Sequence, residues 1–301
     1  MPGPSASGDV PPDGRKAAFV THCYSTVSIV GVGLIGGSVG LAVRKRNLAE
    51  RVVGIGRNAA SLRRAQRRGA VTSTTTRLAQ GVAESELVVV CTPVESIVEH
   101  VRAAAGACPP GALITDAGST KGRIVSSLNG ALGRDVTFVG SHPLAGSEKK
   151  GPEFADASLF EDRVVVITPT RRTRKSGVQA IEQFWQSLGA RVVRMSPEAH
   201  DEAVAATSHV PHVVASALAA ATPESMLRLV ATGWLDSTRV AAGDVELWTQ
   251  ILVENRDSVL SALDRCDKGL ASFRAALAKG DRKRLAALLR AGKERRDAVG
   301  D

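Results

Sequence analysis

Residues 27–37 read Val-Ser-Ile-Val-Gly-Val-Gly-Leu-Ile-Gly-Gly. Val27, Ile29 and Val30 are apolar and β-branched, which suits a buried strand. An apolar helical segment follows, with Leu41, Ala42 and Val43. Gly31, Gly33 and Gly36 therefore stand between a strand and a helix, with Leu34 and Ile35 between the last two. In that setting each glycine has a physical reason. Gly31 allows a tight turn, Gly33 lets a pyrophosphate approach the backbone, and Gly36 lets helix and strand pack closely. The first turn of the helix offers free N–H groups and the positive end of its dipole to the phosphates. The simpler alternative is a glycine-rich turn in another kind of α/β protein. The strand before and the helix after favour a dinucleotide site.

Strand and helix signals alternate after this stretch. Residues 51–56, 87–91, 112–115, 136–139, 163–168 and 190–194 read as strands. Residues 59–68, 94–105, 124–132 and 178–188 read as helices, the first of them capped by Asn58. The run Leu87 to Cys91 is apolar throughout, as in a central parallel strand, and makes Cys91 a buried thiol. The pattern predicts an α/β fold with a doubly wound parallel sheet of the Rossmann type. Strand signals stop near residue 195. Residues 197–206, 211–221, 224–231, 244–254, 257–278 and 282–296 read as helices with alanine- and leucine-rich faces that need a partner. The expected division is a disordered tail over 1–25, a dinucleotide-binding domain over 26–195, and an all-α substrate and dimerisation domain over 196–301. A homodimer through the helical half follows.

No apolar run reaches the ~18 residues of a membrane span, and the first 25 residues lack the apolar core of a secretory signal. The four cysteines form no CxxC or CxxH pair, which signals no zinc site and fits a reducing cytoplasm. The net charge is +9, and residues 44–68 hold nine basic side chains and one acid. Such a balance invites a nucleic-acid reading. The scarcity of aromatic residues, 3% of the chain, and the absence of basic-aromatic interleaving speak against it. The basic cluster also falls where the ribose end of a dinucleotide belongs.

Cofactor choice turns on the end of the second strand, where an NAD-binding domain commonly has an acid for the ribose hydroxyls. This chain has Gly56-Arg57-Asn58. Arg57 could pair with a 2′-phosphate, with Arg63, Arg64 and Arg67 on the next helix, which favours NADP. The alternative is that Arg57 stacks on adenine or is a solvated charge, and NAD is the cofactor. Three polar loops follow strands on the cofactor side. Cys91-Thr92-Pro93 could line the nicotinamide. Ser119 lies in Gly118-Ser119-Thr120-Lys121, where Ser119 and Lys121 could equally cap a helix. His142 lies in Ser141-His142-Pro143. A lone histidine is commonly structural, but a histidine in a glycine-flanked loop at a strand end suits proton transfer as a hydride leaves. In the helical half, Pro211 suits the first turn of a helix, which places Ser208 just before it and His212 inside it. His209 and His212 lack the carboxylate and the spacing of a metal site. Arg239, expected between helices, offers a planar fork for a carboxylate or else a surface ion pair. Trp248 is expected in the core.

Taken together, Asp116-x-Gly118-Ser119-x-Lys121-Gly122, Ser141-His142-Pro143-Leu-Ala-Gly146-Ser-Glu148, Ser208-His209-x-Pro211-His212, and Thr238-Arg239 followed by Trp248 resemble the prephenate/arogenate dehydrogenase family of tyrosine biosynthesis. The resemblance runs from residue 27 to about residue 278. It implies a Rossmann domain followed by a helical dimerisation domain. It implies that His142 assists oxidation of the substrate's ring hydroxyl, that Ser119 positions that histidine and the nicotinamide, and that Arg239 binds a substrate carboxylate. Ser208 and His212 would line the substrate pocket. The activity implied is oxidative decarboxylation of prephenate to 4-hydroxyphenylpyruvate with NAD or NADP. The alternatives are arogenate as substrate, or a non-catalytic dinucleotide-binding regulator. Members with a fused chorismate mutase or a C-terminal regulatory domain have more chain than is present here, so feedback by tyrosine through such a domain is not expected.

Overall fold

The computed structural model describes residues 23–128, 132–133, 135–146 and 149–300. Eight strands form one sheet in the order β3-β2-β1-β4-β5-β6-β7-β8. They are β1 (Tyr24–Val30), β2 (Ala49–Ile55), β3 (Ser73–Thr75), β4 (Leu87–Val90), β5 (Leu113–Asp116), β6 (Thr137–Pro143), β7 (Val164–Thr168) and β8 (Arg191–Arg194). The switch point falls between β1 and β4, where a Rossmann sheet holds its dinucleotide. The first strand starts at Tyr24, so the last two residues of the expected tail belong to the sheet; residues 1–22 lie outside the described residues. Burial pushes the Tyr24 phenol up to about 12, with the nearby Glu86 carboxylate adding to the effect.

The helices of this half are α1 (Leu34–Lys45), α2 (Ala59–Arg67), α3 (Leu78–Val82), α4 (Val94–Ala107), α5 (Gly122–Leu128) and α6 (Lys175–Ser187). Asn58 caps α2 as expected, its side chain accepting from Ser61 N at 3.0 Å. The short β3 and α3 have no counterpart in the sequence reading; three and five residues are too few to show a period. Val27, Ile29, Leu87 and Val89 are fully buried on one side of the sheet against α1 and α6, and Val88, Val90 and Ile114 are fully buried on the other against α4. That two-sided burial explains the unbroken apolar run of β4.

One expectation is corrected here. The sheet is not wholly parallel: β7 runs antiparallel to β6, pairing His142 with Val166 and Pro143 with Val165. The partner strand extends β6 through Pro143, so His142 sits inside a strand and not in a loop after it. Residues 137–139 make the parallel pairing with β5, and nothing in the local sequence marks the second pairing.

The helical half contains α7 (Pro197–Val204), α8 (Val210–Ala221), α9 (Thr232–Thr238), α10 (Val245–Glu254), α11 (Arg256–Ala278) and α12 (Arg282–Asp297). Between α7 and α8 the chain does not leave the helix. Ala205–His209 is a π-helical turn, and Pro197–Ala221 forms one 25-residue helix. Proline cannot donate to the ladder and clashes with the carbonyl four residues back, and a wide turn relieves both. Ser208 does precede α8, but on this turn rather than in a loop. By length and apolarity alone Pro197–Ala221 could cross a bilayer, yet it carries His200, Asp201, His209 and His212, all buried against the rest of the protein. Residues 224–229 are a 3-10 helix, and α9 appears where a connection was expected, so Arg239 opens a 3-10 turn directly after it.

Candidate active site

The glycine turn has the form a phosphate cradle needs. Gly31 has φ +91°, and a Cβ there would lie 2.7 Å from the Cys91 carbonyl oxygen. A Cβ on Gly36 would lie 2.2 Å from the Gly31 carbonyl oxygen, so α1 and β1 approach as closely as backbones can. A Cβ on Gly33, the N-terminal flank of α1, would meet nothing within 4 Å. Space is therefore left at the one position where a pyrophosphate must reach backbone N–H groups. No side chain caps α1, and its first turn holds no acid. Leu34 and Ile35 are partly exposed beside this opening. Thr92 and Pro93 follow β4 at the same edge, with Thr92 Oγ1 3.0 Å from His100 Nδ1 and Pro93 at the start of α4. Cys91 packs against this turn, and burial pushes its thiol pKa up, with Asp116 adding to the effect. These residues fit a dinucleotide.

Arg57 is exposed just past β2. Part of the basic cluster is employed elsewhere. Arg68 donates to the Ala155 carbonyl at 3.0 Å, Arg64 lies 3.5 Å from Glu153, and Arg44 donates to the Gly69 carbonyl at 2.6 Å. These arginines fasten the 152–155 segment to α2 and the end of α2 to α1. Arg57, Arg63 and Arg67 remain at the surface.

Beyond the cradle lies a cavity of about 600 Å³. Ser119 and His142 line it from the sheet, Ser208 and His209 from the π turn, Arg239 and Trp248 from the helical half. Lys149 and Lys150 line it too, and Lys150 pairs with Asp244, the N-cap of α10. Gly146 connects cavity and cradle: a Cβ there would come within 3.8 Å of Ile35 Cδ1. Ser147 and Glu148 lie outside the described residues. His212 is not on the wall. It stacks on Trp248, ring centroids 3.6 Å apart and planes 16° from parallel, with Gly243 so close that a Cβ would lie 2.6 Å from Trp248 Nε1. Trp248 is thus a wall residue backed by His212, not simply core. His209 Nδ1 lies 3.2 Å from Asn255 Nδ2.

The loop carrying Ser119 is held from both ends. At one end Asp116, fully buried, pairs with fully buried Lys121 and accepts from Gly118 N at 2.9 Å and Ser141 N at 3.0 Å. At the other, Asp201 accepts from Lys121 N and Gly122 N, both at 2.7 Å, so a side chain from α7 caps α5. Neither Ser119 nor Lys121 is that cap. Burial works against ionising Asp201, but hydrogen bonds from His200, Gly122 and Lys121 outweigh it and hold the carboxyl below its usual value.

His142 contacts another residue that the sequence reading did not single out. Its Nδ1 lies 2.9 Å from His200 Nε2, and His200 Nδ1 lies 2.8 Å from Asp201 Oδ1. His200 comes from 58 residues further along the chain, so only the packing of α7 on β6 reveals it. Burial, then the neighbouring His200, Lys121 and His209, hold the His142 pKa well below 6.5. A neutral imidazole facing a cavity is a competent general base.

Comparisons with known proteins point to one family. A family model described as prephenate dehydrogenase, nucleotide-binding domain, matches residues 39–194, and one described as prephenate dehydrogenase, dimerization domain, matches residues 196–291. The chain is 33% identical over 281 residues to a prephenate dehydrogenase of Bacillus subtilis, covering 91% of this chain and 76% of that one. It is 34% identical over 268 residues to a cyclohexadienyl dehydrogenase of Zymomonas mobilis, covering 86% and 90%. The crystal structure of prephenate dehydrogenase from A. aeolicus, in complex with hydroxyphenyl propionate and NAD+, superposes with a TM-score of 0.85 at 32% identity, covering 91% of this chain and 98% of that one.

Proposed function

The chain belongs to the prephenate dehydrogenase family, and from that premise we propose that it oxidatively decarboxylates prephenate to 4-hydroxyphenylpyruvate. The observation that carries this reading is the convergence of Ser119, His142, Ser208 and Arg239 on one cavity of about 600 Å³ beside the Gly31–Gly33–Gly36 cradle. When bound in that cradle, a nicotinamide dinucleotide supplies the hydride acceptor. His142 takes the proton of the ring hydroxyl. Arg239 pairs with a substrate carboxylate and fixes the carbinol carbon, within about 3–3.5 Å of the acceptor in a reactive pose. Ser119, on its doubly anchored loop, stands beside His142 to orient the hydroxyl. Loss of CO2 makes the ring aromatic and draws the reaction forward.

The lining favours prephenate over arogenate. Arg239, Lys149 and Lys150 outnumber Asp244 on the wall, which suits a substrate with two carboxylates and no ammonium group. Arg57 and the lack of an acid after β2 favour NADP over NAD. A homodimer through the helical half is supported by the dimerization-domain match and by strongly exposed apolar side chains there, among them Leu229, Val245 and Leu277 at 76%, 80% and 64% exposure. The four free cysteines suit a reducing cytoplasm. The test is NAD(P)H absorbance on adding prephenate or arogenate with each cofactor. Absorbance growth with prephenate is expected; none with either substrate and either cofactor overturns the reading and favours a non-catalytic dinucleotide-binding protein.

A further inference from the structure

A base inside a half-buried cavity must dispose of the charge it gains. His142 has poor surroundings for that charge, since burial disfavours it and His200, Lys121 and His209 are near. Behind it, however, the hydrogen-bond chain His142 Nδ1···His200 Nε2···(His200 Nδ1)···Asp201 Oδ1 runs over contacts of 2.9 and 2.8 Å. His200 is fully buried. Asp201, an ionised carboxylate, only accepts. His200 must then carry a proton on Nδ1 and donate it to Asp201. In neutral His200 this leaves Nε2 as an acceptor, so His142 must donate from Nδ1. The lone pair of His142 is thereby fixed on Nε2, the ring nitrogen left for the cavity. Asp201 is itself fixed by the N–H groups of Lys121 and Gly122, so the tautomers of both rings are set by the N-terminus of α5.

We propose that His200 and Asp201 form a proton relay behind His142, so that the positive charge generated in turnover comes to rest on His200 beside the Asp201 carboxylate. The inference rests on the dehydrogenase reading for its proton source. The substrate O–H bond breaks and the proton joins His142 Nε2. The His142 Nδ1–H bond breaks and that proton joins His200 Nε2. The oxygen keeps the O–H electron pair, which becomes the second C–O bond as the hydride departs. His142 ends neutral with its proton on Nε2, and His200 ends as an imidazolium paired with Asp201. Loss of one proton to solvent, with the reverse shift along the chain, restores the starting tautomers. His200 is a positioning and relay residue; it does not touch the substrate.

Two measurements test this on the full chain. Imidazole 15N NMR at neutral pH is expected to show both His142 and His200 with the proton on Nδ1, and Asp201→Asn is expected to shift His142 toward the Nε2–H form. Wild-type His142 carrying its proton on Nε2 would overturn the relay, whatever the enzyme's substrate proves to be. In steady state, His200→Gln, which keeps a hydrogen-bonding side chain that cannot carry a proton, is expected to lower kcat by about 10- to 100-fold. KM should stay within about twofold, and the solvent isotope effect should lose its multi-proton curvature. Full turnover in that variant would also overturn the relay, while an active wild type leaves the dehydrogenase reading standing. Should His200→Gln fail to fold, the wild-type tautomers alone decide. A wild type inactive on prephenate and arogenate would remove the dehydrogenase reading, and the NMR result would still judge the hydrogen-bond chain.

Discussion

Lys121 Nζ and the Asp116 carboxylate form an ion pair in which both side chains have zero exposure. The same carboxylate accepts from Gly118 N and Ser141 N, so one buried charge ties the Ser119 loop to β6 one residue from His142. Such a pair need not stabilise the fold relative to apolar residues, but breaking it leaves an uncompensated charge. Lys121→Met keeps the chain length and strands Asp116. It is expected to cost about 3–5 kcal/mol of unfolding free energy, measured by urea denaturation. A loss below about 1 kcal/mol would mean that water reaches the pair.

The cradle glycines should separate folding from cofactor binding. Gly36→Ala puts a methyl 2.2 Å from the Gly31 carbonyl oxygen and 2.9 Å from Ile29. Backbone must move, so a marked loss of thermal stability is expected. Gly33→Ala meets no protein atom within 4 Å. It should fold like the wild type and bind dinucleotide more weakly, because its methyl occupies the approach of the pyrophosphate. Calorimetric unfolding and a fluorescence titration with NAD(P)H would read the two effects, and equal behaviour of the two variants would refute this division.

Much of this architecture was legible because the chain states it locally. Gly31, Gly33 and Gly36 between a β-branched strand and a helix determine the cradle, and the apolar run of β4 determines a sheet covered on both faces. His142, Ser119 and Arg239 were legible as candidates from their motifs. What was not legible depends on distant partners. The antiparallel β7 moves His142 from a loop into a strand. Pro211 looks like a helix start, and only the continuous Pro197–Ala221 helix shows that a π turn absorbs it. His212 carries the same residue type as His142, yet the Trp248 stack takes it off the wall. His200 and Asp201 lie within an ordinary-looking helical stretch, and only the contact of α7 with β6 and α5 makes them part of the site.

Arg57 stands exposed one residue beyond Gly56 at the ribose end of the cradle. A guanidinium pairing with a 2′-phosphate is a charge-assisted contact, worth about tenfold or more in affinity. Arg57→Gln is therefore expected to raise KM for NADP+ by about tenfold and to leave KM for NAD+ nearly unchanged. An equal rise for both cofactors would place Arg57 on the adenine instead.

His142 and Arg239 should fail in different ways. His142→Asn removes the base and keeps a polar side chain, so kcat should fall by about 10²- to 10⁴-fold with little change in KM. Arg239→Gln removes the carboxylate partner, so KM should rise most. Steady-state kinetics with prephenate would check both. Near-normal turnover in His142→Asn would end its assignment as the base, and an unchanged KM in Arg239→Gln would end the carboxylate role.

Acid should act on activity and on stability with the same sign. His142 must be neutral to accept a proton, and burial together with His200, Lys121 and His209 holds its pKa well below 6.5. The acid limb of kcat/KM is therefore expected below 6.5; a midpoint at or above that value would show that the imidazole is not shielded. His209, buried in the π turn, has its pKa lowered to about 4, burial being the main cause, partly opposed by Asp201. Between pH 6.5 and pH 4 the unfolded chain binds a proton at this position that the folded chain refuses. Stability therefore rises with pH through that window and is fully present above it, by up to about 3 kcal/mol for this group. Urea denaturation at pH 7, 5 and 4 should show the wild type losing stability on acidification, and His209→Gln losing less. Identical losses in the two proteins would mean that His209 titrates in the folded state as it does in water.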